Sequence, residues 1–143
     1  MNIASPARIV VIDARNPIKI GREYEIPAAG PYGLALDPRT GRLLCACDAG
    51  VLLAIEPDSG DVVGEVGLGG APDVIFLHRS SNRLYVGVGD PGVIEVIDIG
   101  TMRRDEVVTT ERGAHTLALD RNRNKVYAFL PHSHRAAVFH KII

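Results

Sequence analysis

The chain has 143 residues, the size of about one domain by a range of roughly 100–200 residues per domain. With 46% hydrophobic and 23% charged residues it has the composition of a packed globular chain, not a disordered one. A balance of 16 Lys and Arg against 17 Asp and Glu gives a net charge of -1, which excludes a bulk electrostatic drive towards nucleic acid or an anionic membrane.

The first predicted strands are Ile9–Asp13 and Ile20–Ile26. A four-stranded unit follows over residues 28–68, and a second over 69–111. In the second unit the strands A to D are Val74–His78, Arg83–Val88, Val93–Ile97 and Asp105–Thr109. Val, Ile, Leu and Tyr fill these runs, and Gly, Pro, Asn and Asp separate them, as strands and turns require. The chain ends on three more, Thr116–Asp120, Lys125–Phe129 and Ala136–His140, within an incomplete unit over 112–143. Residues 1–27 read as the outer strands of a broken unit.

The units repeat. Leu34-Ala-Leu-Asp-Pro-Arg-Thr-Gly-Arg-Leu-Leu-Cys-Ala46 aligns with the segments that start at Ile75 and Leu117, at spacings of 41 and 42 residues. A second landmark, Val11-Ile-Asp13, returns as Ala54-Ile-Glu56, Val96-Ile-Asp98 and Val138-Phe-His140 at spacings of 43, 42 and 42. Gly41, Asn82 and Asn124 share one slot between strands A and B, where a positive φ is needed. Asp37 and Asp120 open two of those turns, and His78 stands in that place in the middle unit. Asp13, Glu56 and Asp98 open turns after strand C.

Four strands in a period of 40–45 residues define a β-propeller blade. The fold class is therefore all-β, with blades of four antiparallel strands. The 13 predicted strands make about three and a quarter blades, below the four to eight of typical propellers. Gly30-Pro31, Gly70-Ala-Pro72, Arg83-Leu-Tyr-Val86 and Val96-Ile-Asp98 together resemble the YVTN-type (surface-layer, YncE-like) propeller repeat. Ala114 in place of a proline and His140 in place of an acid depart from that pattern.

An open fan leaves apolar faces and sheet edges exposed. Two remedies are expected: a second copy that completes the broken blade, giving a ring of about six blades, or further blades in a longer propeller. With no apolar run near the ~20 residues of a membrane span and no signal peptide at Met1–Arg8, a complete chain would be cytoplasmic. A piece of a longer secreted propeller would be exported.

The resemblance places ligand sites at the mouth of the central channel. Tyr32, Asp73 and His115 precede strand A in successive units, and the B–C loops carry Asp48, Asp90, His132 and His134. These seven are the candidate ligand-binding residues. His-x-His beside another His and an Asp is a pattern that supplies metal ligands, but fixed-spacing metal motifs are absent, and no metal or cofactor is expected. Cys45 and Cys47 align with Val86 and Val88 and read as core. At the other end Arg39, Arg42, Arg79, Arg83, Arg121, Arg123 and Lys125 form a basic rim around the A–B turns, a candidate surface for an acidic partner. No aromatics interleave it, which argues against nucleic acid.

No nucleophile elbow, P-loop or dinucleotide fingerprint occurs. The expected function is therefore a binding or scaffolding module with ligand or partner contacts on its loop faces. The alternative is a lactonase-like hydrolase or metal-dependent enzyme using Asp73, Asp90, His115 and His132 or His134. A structural surface-layer repeat is a third reading and requires export.

Overall fold

The computed structural model describes residues 1–140. Fourteen strands follow one another: β1 (Asn2–Ile3), β2 (Arg8–Asp13), β3 (Asn16–Glu25), β4 (Pro31–Leu36), β5 (Leu43–Cys47), β6 (Val51–Ile55), β7 (Val62–Gly67), β8 (Pro72–His78), β9 (Arg83–Val88), β10 (Val93–Asp98), β11 (Arg103–Thr109), β12 (Leu117–Asp120), β13 (Lys125–Leu130) and β14 (Arg135–His140). They form four antiparallel meanders: β1–β3, β4–β7, β8–β11 and β12–β14. The second and third sheets are complete propeller blades. The fourth lacks an outer strand among the described residues. The first holds the two predicted outer strands plus β1, which raises the strand count from 13 to 14. This two-residue strand is held at its end by Met1, whose amino group donates to the Val10 carbonyl at 2.8 Å.

The turn chemistry follows the sequence. Gly41, Asn82 and Asn124 have φ of 78°, 59° and 52°. Asp37 accepts from the Arg39 amide at 3.0 Å and the Thr40 hydroxyl at 2.6 Å. Asp98 accepts from the amides of Gly100 and Thr101 at 2.8 and 3.0 Å, and Asp120 from those of Asn122 and Arg123 at 3.1 Å. His78 is buried and acts differently: its Nε2 pairs with Asn124 Oδ1 at 2.9 Å, tying the third sheet to the fourth. A further repeat is invisible in the sequence. Pairing shifts register between Val11 and Ile12, between Ala54 and Ile55 and between Val96 and Ile97. The same bulge thus recurs in the outer strand of three sheets at the repeat spacing, where it sharpens the local twist.

Strand alternation sends successive side chains to opposite faces, so each sheet feeds two cores. Cys45, Cys47, Leu53 and Ile55 pack with Ile9 and Ile26 between the first and second sheets. Leu44, Ala46, Leu52 and Ala54 pack with Leu84, Val86 and Ile97 between the second and third. Tyr85, Ile94 and Val96 pack with Leu117, Val126 and Ala128 between the third and fourth. Each large apolar side chain so buried contributes about 1.5–3 kcal/mol. Both cysteines are fully buried, with their sulfurs 3.9 Å apart. The hydrogen bond with Cys47 and burial push the Cys45 thiol up, which keeps it protonated and inert. No helix among the described residues is long and apolar enough to cross a membrane.

Carboxylates in these turns make stability depend on pH. Burial pushes Asp37 up, but the Thr40 hydroxyl and the Arg39 amide outweigh it and hold Asp37 below its ordinary value. The Thr101 amide does the same for Asp98, and the Arg123 amide and guanidinium for Asp120. A lowered folded pKa adds stability that is complete above the ordinary aspartate value of about 3.9 and is lost as pH falls through the folded value. Urea unfolding is therefore expected to show a midpoint that drops below about pH 4. A variant with Asp37→Asn, Asp98→Asn and Asp120→Asn is expected to unfold more easily at pH 7, with the difference from wild type shrinking by pH 2. An unchanged gap between pH 7 and pH 2 contradicts this.

Candidate functional site

The connections from each outer strand to the next sheet, and the loops between strands B and C, share one end of the stack. Backbone bonds fasten them together. The Asp48 amide donates to the Gly30 carbonyl at 2.8 Å, Leu68 to Gly50 at 2.8 Å, Thr110 to Gly92 at 2.9 Å and Gly113 to Gly89 at 2.6 Å. The loop end is thereby a fixed frame for its side chains.

The seven candidate ligand residues all lie at this end, but they do not converge on one point. Asp73 and His115 meet: the Asp73 carboxylate takes the Nδ1 side of the His115 ring, across the junction of the third and fourth sheets. That contact makes Nδ1 the donor and leaves Nε2 as the open nitrogen. Half of the His115 side chain is exposed. Asp90 pairs instead with Arg112 at 2.7 Å, with both side chains exposed. Asp48 lies against Gly30, where a Cβ would fall 2.5 Å from its carboxylate. Tyr32 is exposed, and its carbonyl accepts from the Asn2 amide group at 2.7 Å. His132 and His134 are exposed on the last B–C loop, with His134 at a φ of 53°.

Three participants were not singled out by the sequence. Glu111 accepts from the Ser133 amide at 2.8 Å and from its hydroxyl at 2.6 Å. The Ser133 hydroxyl is the main reason that Glu111 sits below the ordinary glutamate range, and the neighbouring His132 adds to it. Arg112, beside it, holds Asp90. The available signal was the charged pair Glu111-Arg112 in a connection whose counterpart is Gly67-Leu-Gly-Gly70. Among the described residues no group of three or more His, Cys, Asp or Glu is arranged to hold a metal ion.

At the opposite end the basic rim is largely answered by its own chain. Arg42 pairs with Glu56 at 2.9 Å, Arg83 with Asp105 at 2.9 Å and Arg123 with Asp120 at 3.1 Å. Arg121 donates to the Leu77 carbonyl at 3.2 Å. Arg39, Arg79 and Lys125 have no ion-pair partner among the described residues. Two cavities lie between sheets. One of about 250 Å³ opens beside edge strand β14, lined by Tyr85, Ile94, Val96, Val108, Val126 and Val138. A wider one of about 610 Å³ lies between the first and second sheets, lined by Val11, Ile12, Leu34 and Leu43.

No family model and no curated protein match this chain. Among solved structures it is similar to hydrazine synthase of Kuenenia stuttgartiensis, with a TM-score of 0.77 at 18% identity over 93% of this chain. This chain spans 43% of that chain's length. Likeness at this identity establishes a shared propeller fold. Since 695 solved chains match, the fold by itself selects no activity.

Proposed function

We propose that the chain is part of a YVTN-type, YncE-like propeller that works as a binding or scaffolding module, with its contacts on the loop end. The sequence support for that family is the repeat period and the Arg83-Leu-Tyr-Val86 and Val96-Ile-Asp98 motifs. The observation that carries the functional reading is the bridging of neighbouring sheets at the loop end by polar pairs. Asp73–His115 and Glu111–Ser133 span the third and fourth sheets, and each leaves polar atoms towards solvent. A rigid frame that presents unspent donors and acceptors loses little entropy on binding. The opposite end offers less, because Arg42, Arg83 and Arg123 are ion-paired within the chain and Arg121 donates to a backbone carbonyl.

The test is a panel of short peptides and small polar metabolites titrated into isotope-labelled protein, read by amide chemical shifts. The reading expects the shifts from a bound member to fall on residues 29–32, 48–50, 69–73, 89–92, 110–116 and 131–134. His115→Ala is expected to weaken that member about tenfold, equivalent to roughly 1.4 kcal/mol. Shifts confined to the A–B turns, no shift from any member, or turnover of a lactone panel by the wild-type protein each contradict it.

A further inference from the structure

Glu95 is a carboxylate at an apolar position of the repeat. Leu53 and Ala137 hold its place in the neighbouring units. Strand alternation puts it on the same face as Val93 and Ile97, in the core between the second and third sheets. Its side chain is 1% exposed. Oε1 accepts from the Gly69 amide at 2.6 Å and from Arg104 at 3.3 Å, and Oε2 has no partner among the described residues. A leucine, as at position 53, would avoid the desolvation of a buried carboxylate. Departures of this kind from the local pattern are expected where a site has to be held.

What the carboxylate holds is the connection from β7 to β8. The two corresponding connections are fastened by backbone bonds. Before the second sheet the Ala49 amide donates to the Ala29 carbonyl at 3.2 Å and the Asp48 amide to the Gly30 carbonyl at 2.8 Å. Before the fourth sheet the Gly113 amide donates to the Gly89 carbonyl at 2.6 Å. Among the described residues Gly69, Gly70 and Ala71 make no backbone bond of this kind, and Glu95 supplies the hold at Gly69 instead. The fit is close. A Cβ on Gly69 would lie 2.7 Å from Glu95 Oε1, and one on Gly70 would run into the Asp90 carbonyl and the Val88 side chain. Pro72 follows, buried and paired with Val88. The pairing of β8 with β9 then skips from Pro72 to Ile75, so Asp73 lies in a bulge, where the ladder does not set its direction. Asp73 is the carboxylate that meets His115 across the next junction.

We propose that Glu95 is a positioning residue for the Asp73–His115 pair. By holding Gly69 it fixes the entry to the bulge that turns Asp73 towards His115 Nδ1, and so keeps His115 Nε2 as the acceptor presented at the loop end. The use made of that nitrogen rests on the loop-end reading. The positioning itself does not, and it is tested without a ligand.

The test is the imidazole nitrogen spectrum of His115 in labelled protein, read for the wild type and four variants. The wild type is expected to show the Nδ1–H tautomer. Glu95→Leu fills the space but gives Gly69 no acceptor, and is expected to lose that signature for a mixture of tautomers. Glu95→Gln keeps an acceptor and is expected to retain it. Gly69→Ala leaves Glu95 in the sequence but drives its carboxylate off the amide, and is expected to lose the signature too, so the test does not hang on the folding of Glu95→Leu. Leu53→Ala opens a core cavity at the same position one repeat earlier. It is expected to lower the thermal midpoint and leave the tautomer unchanged, which a merely structural role for Glu95 does not predict. A wild-type His115 in the Nε2–H form, a folded Glu95→Leu or Gly69→Ala that keeps the Nδ1–H form, or loss of that form in Leu53→Ala overturns the proposal. Because no ligand is present, a peptide and metabolite panel with no binding member contradicts the loop-end reading and leaves this result standing.

Discussion

Replacing Gly92 with alanine is expected to destabilise the fold by about 3 kcal/mol or more, from backbone strain together with overpacking. Gly92 has a φ of +97°. A Cβ there would lie 2.5 Å from the Glu111 carbonyl and 2.6 Å from the Arg112 amide nitrogen, both backbone atoms that cannot swing aside. The same loop receives the Thr110 amide at Gly92, so the change pushes apart the connection that positions Glu111 and Arg112. Gly41→Ala is the control. Gly41 has a φ of +78° with nothing within 4 Å of its missing Cβ, so only the backbone penalty of about 1 kcal/mol is expected. Urea midpoints for the two variants measure both. Equal costs contradict the contact described here.

The second large effect is expected at Glu95. Leu53 and Ala137 hold its place in the neighbouring repeats, yet this carboxylate is 1% exposed. Its Oε1 accepts from the Gly69 amide at 2.6 Å and from Arg104 at 3.3 Å. It therefore pins the connection between the second and third sheets. Oε2 has no partner among the described residues, so the arrangement already bears part of the desolvation cost. Glu95→Ala is expected to cost about 3 kcal/mol, since it strands the Gly69 amide and opens a cavity. Glu95→Gln keeps an acceptor for that amide and is expected to cost about 1 kcal/mol. Arg104 is 43% exposed and regains water when its partner is lost. Adding Arg104→Ala to Glu95→Ala is accordingly expected to cost little more than Glu95→Ala alone. Thermal unfolding of the four proteins measures this, and a Glu95→Ala variant as stable as wild type contradicts it.

The fold was legible because strands with two covered faces carry their pattern in every residue. Strand β9 spans Arg83–Val88, as the sequence predicts, and β10 differs by one residue. Outer strands were less legible. β3 runs over Asn16–Glu25, not Ile20–Ile26, because most of its residues are exposed and no apolar alternation marks its limits. Ile26 is buried but belongs to the connection that follows. β1 could not be read from Asn2 and Ile3, since its pairing depends on the amino terminus meeting Val10. At the loop end, Asp73 and His115 were legible as neighbours because one repeat period separates positions on adjacent sheets. The Glu111–Ser133 bond was not, because it depends on the backbone course of a loop rather than on a repeat position. The division of the basic rim into ion pairs was equally hidden, since Arg83 reaches Asp105 on a different strand.

The account rests on consecutive sheets packing face to face in chain order. Methyl-labelled protein tests this directly through nuclear Overhauser contacts between Ile, Leu and Val side chains. The expected contacts join Ile9 and Ile26 to Leu53 and Ile55, Leu44 and Leu52 to Leu84, Val86 and Ile97, and Ile94 and Val96 to Leu117 and Val126. Contacts within sheets but none across these three junctions, or contacts that join the first sheet to the third in place of the second, would contradict it.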